Sequence, residues 1–203
     1  MEKRAAILDA AMTLFPSRGY DGVSVDAIAQ AAGVSKLTVY SHFADKEALF
    51  AAAVTECCAQ LLPHRLFQVD PALPVGQSLQ QIGVAFIDLM MDERALSLHR
   101  IMITQGGQDP RLAQIFFSAG PQAALQEMES FLRQADAAGS LAVANPTRAA
   151  EHFFCLLKGV RHLRVLVGLC APPDASERQL QVSEVVALFL RAFAAERQAM
   201  TQA

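Results

Sequence analysis

Apolar residues recur along this chain at intervals of three and four, and glycine or proline breaks each run. Ile7, Ala11, Leu14 and Phe15 form the first stripe, which predicts a helix from about Glu2 to Ser17 with Gly19 as its stop. In "VSVDAIAQAAG", Ser24 stands where an N-cap belongs and Asp26 lies in the first turn, where the helix dipole favours an acid. Ile28, Ala29 and Ala32 make the inner face of this second helix, and Gly33 ends it. Ser35 then caps a third helix of about two turns, and Asp45 caps a long fourth that continues to about Leu62, before Pro63.

Beyond this point the spacing changes. Residues 63–76 carry three prolines and predict a connection with a short turn of helix. Long helical patterns follow at about 77–92, 94–105, 109–118, 121–138, 146–170 and 176–198. Their breaks fall at Gly106-Gly107, Gly120-Pro121, Gly139, Asn145-Pro146 and Pro172-Pro173. There is no internal repeat and no low-complexity tract.

Composition agrees with an all-α protein. At 203 residues the chain suffices for one large or two modest domains, and 53% hydrophobic content supports a substantial core. Charged residues at 18% exclude a disordered or coiled-coil composition. The most apolar stretch, 153–171, is interrupted by Lys158, Arg161, His162 and Arg164, too costly for a lipid span. The N-terminus is amphipathic and acid-containing, unlike a cleavable signal, so the expectation is a soluble, cytoplasmic protein without a membrane partner. Cys57, Cys58, Cys155 and Cys170 lack metal-ligand spacing and read as small hydrophobes in a reducing compartment; nothing supports a redox switch.

Net charge gives no hint of nucleic acid. The whole chain carries −3, and residues 1–50 hold five Lys/Arg against six Asp/Glu, a net of −1. If DNA is the partner, attraction must come from a local patch. The third helix offers one. Val39 and Phe43, with Val34 at its entry, share a face that would pack on Ile28 and the first helix. The opposite arc holds Leu37, Thr38 and Ser41 with Tyr40 at its flank, and Lys36 in the first turn can splay outward. No acid occurs from Val34 to Ala44. A solvated helix face normally carries Glu and Lys, whereas small hydroxyl and apolar side chains suit close approach to phosphates, base edges and thymine methyls. Lys46 opens the next helix, whose N-terminus is itself a phosphate-binding element. On spacing alone, an ordinary short packing helix fits as well.

The letters say more. Gly19, Ser24, Ile28-Ala29, Ala32-Gly33-Val34-Ser35, Tyr40-Ser41-His42-Phe43, Lys46 and Leu49 are fixed points of one pattern over residues 19–50. This segment closely resembles the helix-turn-helix DNA-binding domain of the TetR/AcrR family of transcriptional regulators. Two departures are mild: Pro16 in the last turn of the first helix, and Leu37 where Gly, Ala or Pro is commoner. The resemblance implies that Ser24, Tyr40, His42 and Lys46 anchor phosphates, while Ser35, Lys36, Leu37, Thr38 and Ser41 face the groove and bases. Partial burial beside the first helix is the other reading of Tyr40 and His42, and a solvated lysine that of Lys36.

Residues 109–160, from "DPRLAQIFF" to "FFCLLKGV", resemble, more loosely, the AefR-like regulatory domain, and the family resemblance implies that residues 51–203 form a helical region that dimerises and encloses a ligand pocket. A homodimer, the double-stranded operator and a small apolar or amphipathic effector are the implied partners. Two helices suit the dimer interface. The last carries Val182, Val185, Val186, Phe189 and Phe193 on one stripe, with Leu180, Leu188 and Leu190 elsewhere around it. Helix 146–170 carries Phe153, Leu156, Val160 and Leu163. A helix apolar on more than one side needs two partners, one of them a second subunit. Phe86, Met90, Met102, Phe116, Phe117 and Met128 are pocket candidates, with plain core packing as the alternative for each.

His99, His152 and His162 have no ligand-spaced partners, so no metal or cofactor is expected, and no residue is proposed as a catalyst. The expected architecture is an N-terminal three-helix DNA-binding domain, 1–50, and a larger helical regulatory domain, 51–203. The expected function is a ligand-responsive repressor that binds a palindromic operator as a homodimer, and not an enzyme. The alternatives are an activator or ligand-independent regulator of the same fold, and a helical small-molecule-binding protein or enzyme.

Overall fold

The computed structural model describes residues 2–195, within which ten α-helices and one short 3-10 turn form the whole regular structure. The helices are α1 (Glu2–Arg18), α2 (Val25–Ala31), α3 (Lys36–His42), α4 (Lys46–Leu61), α5 (Val75–Met91), α6 (Glu93–Gln105), α7 (Pro110–Ala119), α8 (Pro121–Ala137), α9 (Pro146–Leu166) and α10 (Ala175–Ala192). The 3-10 turn, His64–Phe67, lies in the proline-rich connection. The end of the expected last helix, 196–198, lies outside the described residues.

Local chemistry places the first four helices. Ser24, Ser35 and Asp45 cap α2, α3 and α4, each side chain accepting from the backbone N–H three residues on. Gly19 and Gly33 take the left-handed backbone that follows α1 and α2. Phe15, Tyr20 and Phe50 then interlock as an aromatic cluster joining α1 to α4. Ile7, Ile28, Val39 and Leu49 are sealed in the same core, so the two-turn α3 is held from behind by packing.

α4 runs on into the larger part, packing against α1, α5 and α7. There α5, α8, α9 and α10 form a bundle whose centre holds Leu79, Ile82, Phe131, Phe153 and Phe189. α5 and α10 cross closely: a Cβ on Gly83 would meet Val182 Cγ1 at 2.6 Å.

α9 differs from expectation in two ways. Its helical course breaks at Gly159, whose φ of 52° and ψ of −169° only glycine adopts without strain. The Gln181 side chain of α10 donates to the Leu157 carbonyl at this break, restoring a partner to a backbone group. The helix also ends at Leu166 rather than 170, because Gly168 turns left-handed at φ 78° and sends the Leu169 N–H back to Arg164.

Candidate nucleic-acid interface and ligand cavity

The outer side of α3 stands in solvent. Leu37 is 80% exposed, and Lys36, Tyr40, Ser41 and His42 are exposed around it; Thr38 is half-buried and Val39 and Phe43 face inward. Several hydroxyls already hold local partners. The Ser24 oxygen accepts from Ala27 N–H and the Ser35 oxygen from Thr38 N–H, each at 3.1 Å. Ser41 donates to the Thr38 carbonyl at 2.7 Å, and the Ser35 and Thr38 hydroxyls share a 2.9 Å bond. Ser24 spends its oxygen on the helix and keeps its O–H for an external acceptor, whereas the Ser35 hydroxyl is also engaged by Thr38.

Lys36 departs from the expected outward splay. Its Nζ sits 2.8 Å from Asp26 Oδ2 on α2, an exposed pair that raises the lysine pKa. The acid came from the neighbouring helix, which a search of α3 alone could not find. Lys46 Nζ lies 4.1 Å from the centroid of the Tyr20 ring. Burial pulls its pKa below the ordinary lysine value against the opposing pull of Asp21, while burial, with the nearby acids, lifts the Tyr20 phenol to about 12. Sequence reasoning missed Arg4, whose guanidinium lies over the Phe43 ring at 5.5 Å, beside the end of α3. Its signal is faint: Lys3 and Arg4 are two adjacent exposed cations in the first turn of α1, and nothing local distinguishes them.

The larger part holds a cavity of about 200 Å³ between α4, α5, α6, α7, α8 and α9, open to solvent beside Phe117, Glu151 and Cys155. Phe86, Met90, Phe116 and Phe117 line it. Met102 and Met128 do not, a correction to the expected set: Met102 sits one turn past His99 and packs on the core, while Met128 is completely buried in the heart of α8. Polar groups on the wall are His99, Glu151 and Lys158, with Cys57, Cys58 and Cys155. The His99 Nδ1–H donates to the Ala95 carbonyl at 2.8 Å. His99 and His162 meet edge to face at 5.8 Å, a contact across 63 positions that local spacing did not reveal. Burial lowers both pKa values, that of His162 to about 4, with Lys158 pushing the same way. Burial raises both Cys57 and Cys58, the latter to about 12, so these thiols are protonated. Among the described residues no three metal-type side chains converge.

The expected dimer residues divide into two groups. Phe153, Val182, Val185, Val186 and Phe189 are buried within this protomer and so unavailable to a second subunit, while Phe193 is half-buried against Phe189. Both stripes of α10 were apolar, and the β-branched one won the inside because it fits the close crossing with α5. What faces solvent instead is Leu156, Val160, Leu163 and Val167 of α9 and its end, beside Leu180 and Leu188 of α10. Arg161 holds the two helices in register through a forked pair with Glu177 at 3.0 and 3.3 Å. No helix among the described residues is long and apolar enough to cross a membrane.

Comparison with known proteins covers both parts of the chain. Residues 7–53 match the family described as bacterial regulatory proteins, tetR family, and residues 77–195 match the AefR-like transcriptional repressor, C-terminal domain. The HTH-type transcriptional regulator SrpR of Pseudomonas putida is 28% identical over 142 residues, covering 70% of this chain and 65% of SrpR. The biofilm operon negative regulator IcaR of Staphylococcus epidermidis is 31% identical over 46% of this chain; the match spans about half of IcaR, 49%. Among solved structures, a TetR-family regulator from Mesorhizobium loti superposes with a TM-score of 0.79 at 29% identity, covering 94% of this chain and 96% of that one. The flavonoid-responsive regulator FrrA gives a TM-score of 0.72 at 30% identity, covering 96% and 98%.

Proposed function

Because the chain belongs to the TetR family and is a transcriptional regulator rather than an enzyme, we propose that it is a homodimeric, ligand-responsive repressor. In this reading α3 enters the major groove of a palindromic operator, and a small effector in the cavity releases it. The observation that carries the reading is the outer face of α3. A leucine left in water forgoes roughly 1.5–3 kcal/mol of burial, and beside Leu37 stand Tyr40, Ser41 and His42, with Lys36 paired to Asp26 of α2 and no acid on α3 itself. Ser24, Tyr40, His42 and Lys46 hold phosphates; Ser35, Lys36, Leu37, Thr38 and Ser41 face the bases. The base edges of the groove compete with Asp26 for Lys36, and the exposed pair contributes too little to resist. The protein works in the cytoplasm, where the DNA is.

The functional boundary falls near residue 50, and α4 crosses it. Lys46 stands at one end of this helix, and Val54, Cys57 and Cys58 reach the cavity further along it. Glu47 is tied to Arg111 of α7 at 2.7 Å, and Thr55 donates to the Ala119 carbonyl at 3.2 Å. α4 and α7 therefore move together or strain these bonds. An effector that prefers a different setting of α4 opposes the spacing the operator demands, and its binding lowers DNA affinity by linkage. Similarity to a repressor C-terminal domain supports the sign of the response, and that to FrrA, a flavonoid-responsive regulator by name, supports an effector.

Substitution sorts the contacts. Lys46→Ala should weaken binding to every DNA sequence and reduce the slope of log affinity against log salt by about 1. Leu37→Ala and Thr38→Ala should instead change which sequences bind, with about 1–3 kcal/mol of discrimination at the contacted position. Fluorescence anisotropy on a panel of duplexes reads both. Equal losses on all duplexes for Leu37→Ala and Thr38→Ala would contradict the groove assignment.

A further inference from the structure

We propose that the cavity is built for a small aryl carboxylate, a single aromatic ring bearing one acidic group, with Lys158 as its counter-ion. The inference rests on the reading of this cavity as the effector site.

Charge comes first. Lys158 lies on the cavity wall, half-buried, and among the described residues no carboxylate lies within ion-pair distance of its ammonium. Glu151 lines the same cavity but is seven residues away on α9, roughly 10 Å along the helix axis, so it is not the partner of Lys158. The groups nearest in charge terms are the imidazoles of His99 and His162, both held neutral by burial and by the lysine itself. A half-buried cation facing neutral neighbours lacks its anion, and a bound carboxylate supplies one. Lys158 is also the last helical residue before the break at Gly159, where the negative end of the preceding helical run favours a cation.

Size and lining set the remainder. An apolar cavity of about 150 Å³ accommodates benzene, so about 200 Å³ leaves room for one ring and a short acidic substituent. Phe86 and Phe154 stack on each other at 4.2 Å on one wall, and Phe116 and Phe117 form another. Such walls offer faces and edges to a further ring.

Calorimetric titration of the full chain tests this with benzoate, phenylacetate and 3-phenylpropanoate, each beside its neutral alcohol. At least one acid should bind about ten-fold or more tighter than its alcohol. Lys158→Met should remove that preference, leaving acid and alcohol within about two-fold, while Lys158→Arg should keep it. Thermal melts of both variants establish that they fold. Equal or tighter binding of the alcohols, a preference that survives in Lys158→Met, or no binding of any acid at millimolar concentration would each overturn the inference. The effector reading fails separately: an acid that binds through Lys158 and leaves DNA affinity unchanged would retain the site and remove its regulatory role.

Discussion

Glutamate at both Val160 and Leu163 will turn the protein into a folded monomer whose DNA affinity has fallen by at least about 100-fold. The two residues lie in the segment of α9 after the break at Gly159, with Leu156 before the break and Val167 at the helix end also in solvent, and Val160 is 66% exposed in the isolated protomer. Covering such side chains gains about 1.5–3 kcal/mol each, whereas carboxylates in their place must be stripped of water at a cost of several kcal/mol. The protomer itself should be indifferent, because neither side chain contributes to its core. Losing the dimer uncouples two half-sites that one rigid body would otherwise meet together, hence the disproportionate fall in affinity. Sedimentation velocity and anisotropy measure the two effects. Val186→Ala provides the contrast: it should lower protomer stability by about 1–3 kcal/mol through a cavity in the core and leave the association state alone. A double-glutamate variant that remains dimeric would place the interface elsewhere.

Acid should weaken the fold through His162. The residue is 9% exposed, and its Nε2 has no hydrogen-bond partner among the described residues. Burial, the adjoining His99 and Lys158 together lower its pKa to about 4. Its folded pKa lies below the unfolded value near 6.5, so the folded state binds the proton less well. Stability is therefore unaffected by this group above pH 6.5, declines as pH falls from about 6.5 to 4, and levels off below. The loss should be on the order of 3 kcal/mol. His162→Phe keeps a ring against His99 and removes the proton site, so its denaturation midpoint at pH 7 should equal or exceed that of the native chain, and the decline should shrink. Denaturant titrations at fixed protein concentration from pH 7.5 to 4.5 measure this, and parallel declines in both proteins would refute it.

The DNA-binding part was legible because its signals are local. Ser24, Ser35 and Asp45 each cap a helix through a bond spanning three residues, and the inward position of Val39 and Phe43 follows from helical spacing. Even there the Asp26 partner of Lys36 belonged to another helix and escaped notice. The regulatory part was legible as a set of helices but not as a set of surfaces. Periodicity shows α10 apolar on two sides without saying which side meets α5, so it does not reveal that Val182, Val185, Val186 and Phe189 are the inner set. Gly159 gave no warning of a break, because glycine inside a helical pattern is tolerated and the bond from Gln181 that accommodates this one is tertiary. Met128 and Phe116 share the same kind of stripe, and only packing decides that one is core and the other lines a cavity. His99 and His162 were judged apart by sequence distance and lie ring to ring.

Selection of bound sequences from a random duplex library by the native full-length chain tests the central claim most directly. The account predicts enrichment of an inverted repeat whose half-site centres lie about 10–10.5 base pairs, or a whole multiple of that, apart. Enrichment of an unsymmetrical single site, or of no sequence at low salt, would contradict it.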